Sequence, residues 1–428
     1  MMLALYQGLT RCSGPFLRLY LARRQARGKE PSAERLPERL GLASRARPEG
    51  ALVWLHGASV GEALSALPLI ERLLAQHPSL SMLVTSGTVT SARILAERLP
   101  ARALHQFAPI DHPGYVARFL DHWRPDLALF VESELWPNLL LALKARGVPA
   151  ALINARFSAR SFRAWRRWRS TAQRLLDCFA LILAQSAVDA DRLQALGVRG
   201  VAVTGNLKHD APALPVDAAA LERLRQAIGE RPLWLAASTH PGEEAVAAEA
   251  HERLKRSFPS LLTVIAPRHP ERGAEIARAL EGRGLILARR ETGALPDMHS
   301  DIYLADTLGE LGLFYRLSSA VFVGGSLVPH GGQNPLEPAR LKCALLFGPH
   351  MHNFAREAKA LIGAGAAREV GDCPSLVAEL ELLLRDPGLC ERRSEAARAV
   401  ASGLAGALDV VLERLAPLID RAVSREPR

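Results

Sequence analysis

The polar residues able to do chemistry gather in five short clusters, each placed after an apolar run. The first, His56-Gly57-Ala58-Ser59-Val60-Gly61-Glu62, leads straight into helical periodicity, with Gly57 and Gly61 permitting a tight turn close to a substrate. Ser59 and Glu62 have the S-x-x-E spacing of a capping box, in which the carboxylate only satisfies a backbone N–H. The same placement suits a carboxylate that takes a proton from an acceptor hydroxyl. A helix N-terminus depresses a carboxyl pKa, so a base here needs partial burial to compensate. Spacing alone leaves both readings open.

The second cluster is Val131-Glu132-Ser133-Glu134-Leu135-Trp136-Pro137-Asn138. Two acids at the end of an apolar strand are costly unless paired or functional. Glu134 reads as a cap for the helix that follows, and Glu132 as the holder of a basic partner or of the acceptor. In the third cluster, Thr204–Asp210, Lys208 lies just before a linker. It is either an exposed linker lysine or a cation that reaches an anionic group across a cleft.

The fourth cluster pairs Ser238–Glu244 with Pro267–Arg272, and both segments start helices through a proline. Free N–H groups at a helix start bind phosphate, and Arg268 adds a charge-assisted fork unless it is spent on a surface pair with Glu271. The fifth runs from Asp306-Thr307-Leu308-Gly309-Glu310-Leu311 to Gly324-Gly325-Ser326 and Gly331–Pro338. There Asn334 reads as an N-cap, Pro335 as the first helical residue and Glu337 as the third. The glycines let a nucleotide approach the backbone, and Glu337 can accept both ribose hydroxyls while also capping. No cluster has HExxH-like spacing and no DxD-like acidic pair lies at an expected sheet edge, which predicts no metal. Helix dipoles, Arg268 and Lys208 would then stabilise a departing phosphate.

Elements must hold these clusters at one edge. Buried, unalternating strands are expected at Ala51–His56, Met82–Thr85, Leu127–Glu132, Ala150–Asn154, Ala180–Gln185 and Val201–Thr204, with helical stretches between them. After an aperiodic linker at His209–Asp217 the rhythm resumes at Leu233–Ala237, Leu262–Ala266, Leu285–Ala288, Ile302–Ala305, Ala320–Gly324 and Ala344–Phe347, with helix from Ser375 onward. Strand-then-helix alternation predicts parallel sheets covered on both faces. The expected fold class is therefore α/β, two Rossmann-like domains facing a central cleft, an arrangement called GT-B among glycosyltransferases, although the rhythm alone would equally suit other paired α/β proteins. The expected boundaries are residues 1–30 for a membrane-associating segment, 31–210 for the first domain and 211–428 for the second.

Bulk properties agree with two folded domains: 428 residues, 49% apolar, 23% charged and 5% aromatic. A net charge of +10 attracts anions, but no zinc-finger spacing or RNP-like aromatic pattern accompanies it, so anionic lipid is expected rather than nucleic acid. The five cysteines form no CxxC pair, which fits a reducing compartment. Residues 1–9 and 15–22 are apolar but interrupted by Arg11 and Arg18, then followed by Arg23, Arg24, Arg27 and Lys29. That pattern favours an amphipathic segment lying in a membrane interface, with a packed soluble helix and a single span as alternatives. The stretch Arg156–Arg169 interleaves six arginines with Phe157, Phe162, Trp165 and Trp168. It is expected to help dock an anionic acceptor or membrane surface.

Eight blocks in order resemble the 3-deoxy-D-manno-octulosonic acid (Kdo) transferases: HGASVGE, VESELWPN, NARFSARS, TGNLKHD, STHPGEE, PRHPER, DTLGEL and GGQNPLEPA, from His56 to Ala339. Gln333 is a departure, since many members carry His there. The resemblance implies transfer of Kdo from CMP-Kdo to the tetraacyldisaccharide lipid A precursor, lipid IVA, inverting and without metal or other cofactor. It also implies a place in lipopolysaccharide synthesis at the cytoplasmic face of the cell inner membrane. By its pattern Glu62 matches the general base, and Glu132 and Lys208 match residues supporting the transition state. Pro267, Arg268, Leu308, Gly309, Glu310, Asn334, Pro335, Leu336 and Glu337 match the CMP-binding positions. Set against this are another GT-B enzyme using a UDP-sugar, such as lipid A disaccharide synthase, a sugar-nucleotide epimerase, and a non-catalytic lipid-binding module.

Overall fold

The computed structural model describes residues 2–210 and 212–424. The chain divides into two compact units, Met1–Ala211 with Ala405–Arg428, and Pro212–Leu404. In the first, strands β1 (Ala51–His56), β2 (Leu80–Ser86), β3 (Ala103–Phe107), β4 (Leu127–Val131), β5 (Ala150–Ala155), β6 (Leu181–Ala184) and β7 (Ala202–Val203) form one sheet. Their order is β3-β2-β1-β4-β5-β6-β7, and all neighbours are parallel. The second unit repeats the plan with β8 (Leu233–Thr239), β9 (Leu262–Pro267), β10 (Leu287–Arg289), β11 (Ile302–Leu304), β12 (Ala320–Val323), β13 (Ala344–Phe347) and β14 (Ala367–Glu369). These lie in the order β10-β11-β9-β8-β12-β13-β14, again parallel throughout.

Unalternating apolar runs become strands because each sheet is buried on both sides. Leu52 and Trp54 of β1 face one core layer, while Val53 and Leu55 face the other. In β8, Trp234 and Ala236 join one layer and Leu235 and Ala237 the opposite one. Two strands escaped the sequence reading, β3 and β14, and both are edge strands. An edge strand needs less apolar surface: β3 carries His105 and Gln106, and β14 buries only Ala367.

The last helix corrects the expected boundary of the second domain. Ala407–Val423 belongs to the first unit, where Ala407, Val411, Leu415, Ile419 and Ala422 pack in the same layer as Val53, Leu55 and Leu129. Asp210, read as linker, holds the start of this helix: its carboxylate accepts from the Gly406 N–H at 2.5 Å and the Leu408 N–H at 2.7 Å. Orphan N–H groups at a helix start need such an acceptor, and here it arrives from far along the chain.

The amino-terminal residues form two short helices, Met2–Cys12 and Gly14–Gln25. Leu3 and Leu21 are buried, and the Tyr6 hydroxyl donates to Asp111 Oδ2 at 3.0 Å. Leu9, 64% exposed, and Phe16, 76% exposed, stand with Leu5, Leu19 and Tyr20 on the surface. No helix among the described residues is long and apolar enough to cross a membrane.

Replacing Asp210 by Ala removes both acceptors at the last helix and is expected to lower unfolding stability by about 1–2 kcal/mol. Denaturant unfolding measures the loss, and limited proteolysis should cut first between Leu404 and Leu408. Unchanged stability and cutting pattern would show that the helix is held by its apolar face alone.

Candidate active site

In a doubly wound sheet, ligands bind beyond the carboxyl ends of the strands where the strand order reverses. In the first unit that point lies between β1 and β4. The loop after β1 brings Glu62 there, and the loop after β4 brings Glu132 and Glu134.

Glu62 sits at the start of the helix Val60–Ser65, whose N-cap Ser59 accepts the Glu62 N–H at 3.3 Å. The carboxylate reaches past the N-cap: Oε2 accepts from the Ala58 N–H at 2.8 Å and Oε1 from the Ser59 hydroxyl at 2.7 Å. So the capping geometry exists and the carboxylate is also half-buried in the site. Burial pushes its pKa above the ordinary value, and the negative charges of Glu134 and Glu132 push the same way against the hydrogen bonds from Ser59 and Ala58. Desolvation therefore outweighs the hydrogen bonds that favour the charged form, the condition a base needs here. Of the two glycines, Gly57 is the constrained one, since a Cβ there would lie 3.1 Å from the Ala63 nitrogen. Gly61, expected to permit the turn, faces open space within the helix.

Glu132 directly follows β4 in a left-handed conformation, φ +64°, and its Oε1 accepts from Lys208 Nζ at 2.6 Å. Lys208 lies on the short turn Leu207–Asp210 and is not an unpaired linker lysine. Glu134 is not the expected helix cap. Its Oε2 accepts from Trp136 Nε1 at 2.5 Å and lies 3.6 Å from His56 Nε2. Burial alone would raise its pKa, but the His56 and Trp136 contacts reverse the shift and lower it. The helix Pro137–Ala145 is instead capped by Asp111, which takes the Asn138 and Leu139 N–H groups at 3.0 and 2.9 Å. His56 in turn contacts Thr85 Oγ1 through Nδ1 at 2.9 Å. His56 and Asp111 were missed as supports because nothing local in the sequence marks their partners.

In the second unit the strand order reverses between β8 and β12. The organising residue is Glu243, 1% exposed. Its carboxylate accepts four backbone N–H groups: His240 at 2.9 Å, Gly325 at 2.7 Å, and Ser326 and Leu327 at 3.0 Å. Gly324 is required beside it, since a Cβ would stand 2.4 Å from the Ser238 carbonyl oxygen. The Ser238–Glu244 turn thus shapes a glycine-rich loop, which sequence reasoning did not foresee. The His240 ring lies against His330, centroids 3.9 Å apart and tilted by 35°, and contacts Gln333 through Nε2 at 3.0 Å. Burial, with help from the neighbouring imidazoles, lowers the His240 pKa to about 4, so the ring is neutral near pH 7.

Arg268 follows β9, is exposed, and has no ion-pair partner among the described residues; Glu271 pairs instead with His269 at 3.4 Å. Pro267 is the last residue of β9. Leu308 is 80% exposed and Gly309 takes φ +82°, so this turn presents backbone outward. Glu310 anchors it, bound by Arg290 Nε at 3.0 Å and Nη2 at 2.6 Å, contacts that lower its pKa. The helix Leu336–Arg340 begins one residue later than expected, with Pro335 at the cap position. Asn334 still joins both parts: its Oδ1 accepts the Leu336 N–H, and its Nδ2 donates to Glu337 Oε1, each at 3.1 Å. Burial raises the Glu337 pKa.

The arginine-rich stretch is only partly as expected. Arg156, Arg160, Arg163, Arg166, Arg167 and Arg169 are exposed, but Phe157 is buried and Phe162 and Trp165 pack on the core. Trp168 is the aromatic left outside.

The family profile described as 3-Deoxy-D-manno-octulosonic-acid transferase (kdotransferase) matches residues 34–211. A 3-deoxy-D-manno-octulosonic acid transferase of Bordetella pertussis is 37% identical, covering 94% of this chain and 96% of its own. One from Haemophilus influenzae is 35% identical over 91% and 92%. A glycosyltransferase structure from Rickettsia africae superposes with a TM-score of 0.58 over 89% of this chain and all of its own, at 11% identity, a likeness of fold. With near-complete coverage by such relatives on a GT-B fold, the chain belongs to the 3-deoxy-D-manno-octulosonic acid transferase family.

Proposed function

We propose that this chain transfers Kdo from CMP-Kdo to the tetraacyldisaccharide lipid A precursor, lipid IVA, in lipopolysaccharide synthesis. The reaction inverts the anomeric carbon and uses no metal. The observation that carries the proposal is Glu62, half-buried with a raised pKa, beside the Lys208–Glu132 pair at the β1/β4 reversal. Glu62 takes the proton of a lipid A sugar hydroxyl as that oxygen bonds to the Kdo anomeric carbon. The bond from this carbon to the phosphate oxygen breaks, and its electron pair leaves with CMP. Lys208, oriented by Glu132, offsets negative charge as the transition state forms.

On the nucleotide side, Arg268 meets the phosphate with an uncommitted guanidinium. Pro267, the outward backbone of Leu308–Glu310, and Asn334, Pro335 and Leu336 line the CMP, and Glu337 accepts from the ribose hydroxyls. The first unit takes the acceptor and the second the nucleotide sugar. The exposed Leu5, Leu9, Phe16 and Leu19, with Arg11, Arg18 and Arg23, support residues 1–30 as an interfacial anchor at the cytoplasmic face of the inner membrane. The exposed arginines of Arg156–Arg169 support docking of the anionic acceptor.

The deciding assay supplies freshly generated CMP-Kdo and lipid IVA in the presence of EDTA. Wild type should be active, and Glu62→Ala should lose about 10³-fold in kcat while still binding CMP. Wild-type inactivity with CMP-Kdo alongside turnover of a UDP-sugar would refute the donor, and an active Glu62→Ala would reduce Glu62 to a cap.

A base works deprotonated, so kcat should fall as pH drops through the Glu62 pKa. That acidic limb should lie above an ordinary glutamate. A limb at the ordinary carboxylate position would show that burial does not tune this group.

Leu9→Glu with Phe16→Glu should release the protein from vesicles containing anionic lipid, read by co-sedimentation. Retained binding would place the membrane contact elsewhere.

A further inference from the structure

Asn154, the first residue of the NARFSARS block, has no part in the chemistry above, yet it is held in an unusual state. It is fully buried, its backbone is left-handed at φ +52°, and its Nδ2 has no hydrogen-bond partner among the described residues. Both the backbone conformation and the unmet donor are unfavourable, so an offsetting gain is required. The gain lies in what the rest of the residue holds. Its Oδ1 accepts the Leu207 N–H at 3.1 Å, a donor that fixes which amide atom is the oxygen. Its carbonyl accepts from Gln185 Nε2 at 2.9 Å, where the β5–β6 ladder slips between Leu152 and Ala155.

The neighbouring strand ends the same way. Glu132 is also left-handed, and its N–H bonds to the Ile153 carbonyl at 3.0 Å. Leu207 precedes Lys208, and Lys208 Nζ meets Glu132 Oε1 at 2.6 Å. The contacts close a ring: Asn154 to Leu207, along the chain to Lys208, across to Glu132, back through Ile153 to Asn154. Asn206 Oδ1 accepts the Lys208 N–H at 3.1 Å, which shapes the turn internally but does not tie it to the sheet.

We propose that Asn154 is a positioning residue for the reaction, its side-chain oxygen fixing the Leu207–Asp210 turn to β5 so that the Lys208 ammonium meets Glu132. This rests on the roles given above to Lys208 and Glu132. Left-handed backbone alone would be served equally by glycine, and that separates the two uses of the residue.

The experiment measures Kdo transfer for Asn154→Gly, Lys208→Met and the double variant, with denaturant unfolding of the first unit, followed by the fluorescence of its buried Trp54 and Trp123, as the check on folding. Asn154→Gly should lose about 100-fold in kcat with CMP affinity unchanged, as expected for a misplaced catalytic group. In the Lys208→Met background the same change should cost little more, because the two act as one unit. Wild-type kcat in Asn154→Gly, or losses that multiply in the double variant, would overturn the proposal. If Asn154→Gly does not fold, Asn154→Ser is read identically, and failure of both to fold also overturns it by assigning the residue to stability. Full activity of Lys208→Met would instead refute the role of Lys208, a distinct outcome.

Discussion

All strands in each sheet run parallel, so every strand releases its chain at the same edge, and every turn there opens beside helix N-termini. Where the order reverses, between β1 and β4 and between β8 and β12, adjacent chains depart to opposite faces and leave a crevice. Polar residues that would be ruinous inside either sheet are tolerated at that edge. The functional clusters therefore follow strand ends, and the backbone departs there from extended geometry. Glu132, Asn154 and Ser238 are left-handed at the ends of β4, β5 and β8.

Charge balance at these edges differs between the units. The first places Glu62, Glu132 and Glu134 close enough to affect one another, with Lys208 neutralising one and the His56 and Trp136 contacts satisfying another. That leaves the third carboxylate as the one whose proton affinity is raised. The second unit spends its buried acid, Glu243, on four backbone N–H groups. A carboxylate with its lone pairs so occupied shapes a loop rather than meeting a substrate. Arg268 has no ion-pair partner among the described residues, and its charge is felt by Glu337 and His240.

Much of this was legible in the sequence. Uninterrupted apolar runs revealed every central strand, and the polar clusters after them lie at the carboxyl ends of those strands. Edge strands β3 and β14 were hidden because one-sided pairing lets His105, Gln106 and Arg368 sit in them. Glu134 was misread as a cap because spacing cannot show that Asp111, far away in sequence, fills that role. Helical character from Ser375 onward was legible, but it does not name the layer that the last helix will cover. Long-range partners are what periodicity cannot supply.

That last helix also bears on how the chain is made. The first unit lacks Ala407, Val411, Leu415, Ile419 and Ala422 until the whole second unit has left the ribosome. One face of its sheet is only partly covered during that interval, by the helices Leu67–Gln76 and Val89–Arg98, with Val53, Leu55 and Leu129 short of their final neighbours. The second unit is contiguous in the chain and can close as soon as it emerges. Vectorial synthesis thus inverts the order in which the halves are completed. The half carrying the proposed base, and the segment proposed to meet the membrane, finishes last.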